Sequence, residues 1–193
     1  MQEPIILASN SPRRREILTQ VDIPYTVMVS EIEEVITKQE PEQVVMELAS
    51  QKAMDVAKKV EEGTILAADT VVSIHGKILG KPKSEEDAYA MLMELSNCAH
   101  SVFTGVCSIS KKDGVIVDNN CFYEETKVYM RELEEEEVLE YIKSGESMDK
   151  AGSYGIQGRA AAFIERIEGD YYNVVGLPIA RVIKEWKKEK RKS

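Results

Sequence analysis

Short apolar runs alternate along the chain with longer stretches whose apolar residues recur every three or four positions, the pattern of strands interleaved with helices. Pro4-Ile5-Ile6-Leu7-Ala8 reads as a buried strand, ended by the turn and cap chemistry of Ser9-Asn10-Ser11-Pro12. A helix should follow, with Ser11 placed to cap it, Pro12 suited to its first position, and Ile17 and Leu18 on its apolar side. Tyr25 to Val29 predicts a second strand. Between Pro41 and Glu62, Val44, Val45, Leu48, Ala49, Val56 and Val60 keep a helical period that Gly63 closes. Thr64 to Ile74 is β-branched and apolar; a tight turn at His75-Gly76 would return Lys77 to Leu79 as its hairpin partner. Ser84-Glu85-Glu86-Asp87 resembles a capping box with Asp in place of Glu, opening a helix through Leu95. Ser101 to Ser110 and Val115 to Met130 are the arms of a second hairpin, joined through Lys112-Asp113-Gly114. Glu134 to Ser144 predicts a helix whose glutamates are a solvated face rather than a metal site. Asp149 to Gly158 carries three glycines and no period, so its backbone is expected to approach something closely. Ala160 to Ile167 and Tyr171 to Val175 are strand-like, and a last helix begins near Leu177-Pro178. With no repeat, low-complexity linker or visible cut, the expectation is one α/β (mixed α+β) domain over residues 1–193.

Composition adds limits to this picture. A chain of 193 residues that is 43% hydrophobic has enough apolar mass for a sizeable core, since chains of this size bury about 70% of their unfolded surface. A net charge of −9 argues against broad nucleic-acid binding, so any polyanionic ligand needs a local cluster of cations. Arg181 to Ser193 departs from the average with seven Lys or Arg against Glu185 and Glu189, as suits a helix carboxyl end. Cys98, Cys107 and Cys121 lie far apart without a CxxC, which points to neither a disulfide framework nor a zinc site and fits a reducing compartment. There is no cationic stretch leading a cleavable apolar segment and no apolar run near the roughly 20 residues that cross a bilayer. A soluble cytoplasmic protein with no membrane partner is expected.

Three places carry chemistry. Ser9-Asn10-Ser11-Pro12-Arg13-Arg14-Arg15 crowds hydroxyls, guanidinium groups and free helix-start amides behind a buried strand, an anion site in outline. The alternative is an ordinary capped helix with exposed arginines, but three cations at the positive end of a helix are unfavourable unless an anion joins them. Lys52 falls on the stripe Val45, Ala49, Lys52, Val56, so it either snorkels to the surface or faces a cleft. Asp69 interrupts the apolar run Ile65 to Val72, where a carboxylate needs a cation, a metal or strong hydrogen bonds. A structural ion pair would satisfy it; beside a phosphate pocket it could equally hold a hard divalent ion or take a proton from water. Glu31, Glu33 and Glu34 can supply a second carboxylate, and Lys81 in Gly80-Lys81-Pro82 another cation or merely an exposed turn. There is no GxxxxGK[ST] and no GxGxxG; His75 and His100 are too isolated for a triad or zinc site, and no cysteine adjoins a histidine.

In order along nearly the whole chain, these residues resemble the Maf or Maf-like family of nucleoside triphosphate pyrophosphatases. The resemblance rests on Leu7-Ala8-Ser9-Asn10-Ser11-Pro12-Arg13-Arg14, the acidic stretch ending at Glu34, Gln51-Lys52-Ala53, Ala68-Asp69-Thr70, Gly80-Lys81-Pro82, Asp149-Lys150-Ala151-Gly152, Tyr154-Gly155-Ile156-Gln157-Gly158 and Val175-Gly176-Leu177-Pro178. Ala67-Ala68 stands where a Gly-Ala pair is more usual, with the Asp-Thr pair intact. The resemblance implies a metal-dependent hydrolase that splits a nucleotide between its α and β phosphates into the monophosphate and pyrophosphate, a pool-cleaning role. It implies a mixed α/β fold like that of inosine triphosphate pyrophosphatase, elongated with a deep cleft between two lobes, often paired as a homodimer. Tyr154-Gly155-Ile156-Gln157-Gly158 is similar to the branch acting on dTTP and UTP. Position by position, it implies Asp69 as proton acceptor and Arg13, Thr70 and Gln157 as setting base preference. Ser9, Arg14, Lys52 and Lys81 would hold phosphates, and Glu34 with Asp69 would place magnesium or manganese. A 7-methyl-GTP pyrophosphatase, and a non-catalytic nucleotide-responsive regulator of septum formation, are the alternatives it leaves.

Overall fold

The computed structural model describes residues 4–189 and 191. Its elements are β1 (Ile5–Leu7), α1 (Pro12–Gln20), β2 (Tyr25–Val27), α2 (Pro41–Ala57), β3 (Gly63–Ile74), β4 (Lys77–Leu79) and α3 (Glu85–Leu95), followed by β5 (Ala99–Lys112), β6 (Val115–Met130), α4 (Glu135–Lys143), β7 (Ile164–Glu168), α5 (Tyr171–Val175) and α6 (Ile179–Glu189). The fold is mixed α/β around one seven-stranded sheet in the order β2-β1-β3-β5-β6-β7, with β4 beside β3. Strands β2, β1 and β3 run parallel, Ile6 facing Thr26 on one side and Ile65 on the other. The pairs β3–β4 and β6–β7 are antiparallel.

The chain packs as two compact units, and the division falls inside three strands, after Asp69, Phe103 and Glu124, and again after Val175. The first unit holds α1, α2 and α6. Its core gathers Ala8, Ala49, Ala53, Val56, Ile65, Ala67, Cys107 and Ile109. The small side chains have a purpose: a methyl on Gly105 of β5 would lie 2.3 Å from the carbonyl of Val45, so α2 rests directly on the strand backbone. The second unit packs α3 and α4 around Val72, Leu92, Leu95, Val102, Val128, Tyr141, Tyr154 and Phe163.

Several sequence expectations need correction. The helix from Pro41 stops at Ala57, not Glu62, because Lys111 Nζ donates to the carbonyls of Ala57 and Val60 at 2.9 and 2.7 Å and satisfies the chain end there. Tyr171–Val175 is one turn of helix: Tyr172 N donates to Asp170 Oδ1 at 2.8 Å, and the buried Asn173 donates to Val102 O and Thr126 Oγ1. Residues 159–163 form a 3-10 turn whose Ala162 and Phe163 carbonyls accept from Arg131, so β7 starts only at Ile164. Ser11 makes no side-chain cap. Cys107 and Cys121, on neighbouring strands with Cα atoms 4.2 Å apart, form a disulfide, against the reading that none is present; Cys98 is free. The charged tail lies partly outside the described residues, which carry Lys187 and Lys188 in the last turn of α6.

Candidate active site

Strand β1 delivers the chain to Ser9, which is 7% exposed. Its hydroxyl oxygen accepts from Ser11 N at 3.2 Å and from Arg14 Nη1 at 2.9 Å. Both acceptor positions are thus filled and the hydroxyl proton is left to donate. Arg14, in the first turns of α1, also donates from Nε to the carbonyl of Gly176 at 2.8 Å. Gly176 has φ of 120°, a conformation open to glycine, and so turns its carbonyl toward the guanidinium between α5 and α6. Burial pushes Arg14 down from its ordinary value, Asp69 draws it up, Arg13 opposes it and Glu34 supports it. The guanidinium stays charged and pinned in place, one face of an anion cradle.

Helix α2 supplies Lys52 to the other side. Its Nζ bonds Asp69 Oδ1 at 2.5 Å and Glu34 Oε1 at 2.9 Å, with the Lys52 and Asp69 side chains 17% and 16% exposed. This settles the two readings of Lys52: it faces inward and bridges two carboxylates. Asp69 is accordingly an ion-paired carboxylate inside an apolar run, yet only Oδ1 is engaged by Lys52. Glu34 comes from a stretch without regular structure, residues 28–39, and the choice among Glu31, Glu33 and Glu34 falls on Glu34.

Within the first unit, then, the fold brings Ser9, Arg14, Glu34, Lys52 and Asp69 together. Arg13 stands beside Arg14 on α1, half-buried. Thr70, Lys81 and Gln157 belong to the second unit, where Lys81 and Gln157 are exposed. There the Lys81 turn and the glycine loop are tied together by Gly152 N donating to Gly80 O at 3.0 Å. The loop's glycines are close approaches, as anticipated: a methyl on Gly152 would meet Val72 at 2.9 Å, and one on Gly155 would meet Lys150 at 2.6 Å. Neither histidine joins the carboxylates. His75 sits in an exposed turn, and His100 is buried with Nε2 2.6 Å from the Tyr154 hydroxyl. Among the described residues no group of three or more His, Cys, Asp and Glu is placed to hold a metal ion. None of the described helices is long and apolar enough to cross a membrane. Gly105 stood unmarked in the sequence, while Gln51 and Gly176 appeared there only as members of motifs, with no role attached. A glycine inside a strand, between Thr104 and Val106, was the available signal for Gly105.

This arrangement can bind a polyanion against Ser9 and Arg14 while two carboxylates share one ammonium. A family model described as Maf-like protein matches residues 4–189. The chain belongs to that family. Among its relatives is the dTTP/UTP pyrophosphatase of Lachnoclostridium phytofermentans, 54% identical over 95% of this chain and 94% of that protein. Proteins of the same name from a Thermoanaerobacter species and from Bacillus cereus are 47% and 50% identical, covering 96% and 95% of this Maf-like chain and 96% and 94% of their own lengths. Of solved structures, a Ham1 protein from Staphylococcus aureus is similar at a TM-score of 0.46 and 17% identity, over 66% of this chain and 72% of that one.

Proposed function

We infer that this Maf-like protein is a nucleoside triphosphate pyrophosphatase that hydrolyses dTTP and UTP to the nucleoside monophosphate and pyrophosphate. The observation that carries the reading is the Glu34–Lys52–Asp69 bridge set beside the Ser9–Arg14 cradle, in a chain about half identical over nearly its full length to proteins bearing that name.

Hydrolysis between the α and β phosphates needs charge neutralised on the phosphate oxygens and a water oriented on the α phosphorus. Ser9 donates its hydroxyl proton to a phosphate oxygen, and Arg14, held by Ser9 and Gly176, sets its positive charge against the same triphosphate. Lys52 holds Asp69 by one oxygen, which leaves Oδ2 to take the proton of the attacking water as the bond to the leaving pyrophosphate breaks. Lys81 and the base-reading trio Arg13, Thr70 and Gln157 complete the assignment; the Gln157 amide can donate and accept at once, as a pyrimidine edge requires.

A magnesium or manganese ion fits the donor set. Two carboxylates drawn to one ammonium, with no third His, Cys, Asp or Glu grouped with them among the described residues, suit a hard cation that arrives largely coordinated by phosphates and water. Glu34 and Asp69 would hold it, and it would supply charge neutralisation on the triphosphate. The homodimer expected from the family is read by sedimentation at working concentration, where a monomer would remove it.

The test is pyrophosphate release from dTTP, UTP, 7-methyl-GTP, ATP and GTP with either metal. Turnover confined to dTTP and UTP, and lost in a folded Asp69→Asn variant, is the expected result. Preference for 7-methyl-GTP discards the base assignment, and turnover by Asp69→Asn at the wild-type rate discards the proton acceptor.

A further inference from the structure

Glu34 sits on a stretch that nothing apolar anchors. Residues 31–40 are exposed throughout, Val35 and Ile36 at 56% and 60%, and the Glu34 side chain itself is 45% exposed. Its approach to Lys52 therefore needs another cause.

That cause lies on α2. Glu47, Gln51 and Asp55 recur every fourth residue and so share one helix face. Each meets the backbone of the stretch, which runs across the helix in the opposite sense. Asp55 Oδ2 accepts from Glu31 N at 3.3 Å. Gln51 engages Val35 twice: Oε1 accepts from its N–H at 3.1 Å and Nε2 donates to its carbonyl at 2.7 Å. Glu47 accepts from Thr37 N at 2.9 Å and from Thr37 Oγ1 at 2.5 Å. The Thr37 bonds, hydroxyl first, hold the Glu47 carboxyl below its ordinary range, and Asp55 is held low by Lys59 first and by Ser30 and Glu31 in addition.

The middle rung is the one that matters for chemistry. Gln51 fixes both backbone polar groups of the residue next to Glu34, and it precedes Lys52 on the helix, so one turn of α2 sets both ends of the Glu34–Lys52 pair. An amide suits this task, because its planar head offers a donor and an acceptor side by side. We propose that Gln51 is a positioning residue: through its paired bonds to Val35 it straps residues 31–37 onto α2 and thereby places the Glu34 carboxylate in the site. This rests on Glu34 acting in the proposed hydrolysis.

The test is a double-mutant cycle of Gln51→Leu and Glu34→Gln on dTTP turnover, read beside amide hydrogen exchange of residues 31–37 and of α2. Gln51→Leu should lower kcat/KM about tenfold and speed exchange in the strap while α2 exchanges as before. In the Glu34→Gln background the same change should cost less than about twofold. Fully multiplicative losses would overturn the proposal, since a general structural defect acts whether or not Glu34 is present; so would unchanged exchange in the strap. Full activity in Glu34→Gln would overturn it by a separate route, by removing Glu34 from the site, whereas the Asp69→Asn assay judges the hydrolysis reading on its own.

Discussion

Substituting Gly105 by alanine tests how the fold sets the distance between its cation and its carboxylate. The added methyl would stand 2.3 Å from the carbonyl carbon and oxygen of Val45 and 2.6 Å from Met46 N. These are backbone atoms of α2 with no rotamer to change, so relief must come from moving the helix or bending β5. To reach ordinary van der Waals contact the helix must retreat by about 1 Å. Overpacking of this kind costs about 1–3 kcal/mol, and in a chain of this size that lowers Tm by roughly 2–12 °C. Lys52 lies seven residues further along the same helix, with Nζ 2.5 Å from Asp69 Oδ1. A shift of about 1 Å at a positioning group can cost on the order of 100-fold in rate. Gly105→Ala should therefore fold, melt lower and lose kcat on dTTP out of proportion to its stability at assay temperature. Calorimetry and steady-state kinetics on the one sample decide it. A variant that melts and turns over like wild type would show that α2 does not depend on Gly105 for its seat.

Two further outcomes follow from groups away from the phosphate cradle. Burial pushes His100 down from 6.5 to about 4, so the unfolded chain takes up a proton that the folded chain refuses until about pH 4. Its contribution to stability is whole above pH 6.5 and runs down as pH falls toward 4 by an amount on the order of 3 kcal/mol. Denaturant titrations should show that part of the loss absent in His100→Gln, and an identical pH slope in the variant would refute it. Alkylation of the unfolded protein with iodoacetamide should label Cys98 alone before reduction and all three cysteines after it, because Cys107 and Cys121 are joined; three labels without reductant would count against the bond.

The division between what the sequence made legible and what it hid follows the range of the interaction. The turn from β1 into α1, the capping of α3 by Ser84, whose hydroxyl accepts from Asp87 N at 3.2 Å, and both hairpins are fixed by neighbours in sequence, and each was visible in the pattern. Lys52 and Asp69 stood out singly because each places a charge where periodicity demands an apolar residue. Their pairing with each other and with Glu34 depends on sheet register and helix seating, for which the sequence has no local mark. The errors have the same origin: β-branched and aromatic content in Tyr171–Val175 argues for a strand, but Asn173, reaching Val102 and Thr126 from across the unit, draws those residues into a helical turn. Cys107 and Cys121 looked unrelated for as long as the hairpin register was unknown. Gln51 is the sharpest instance. A polar residue on a half-exposed helix face is unremarkable by composition, and only the chain folded back over it, with Val35 N–H and carbonyl both presented, gives its amide something to hold. A site of this kind is legible in sequence where it violates a local rule, and hidden where an ordinary residue acquires its role from a distant backbone.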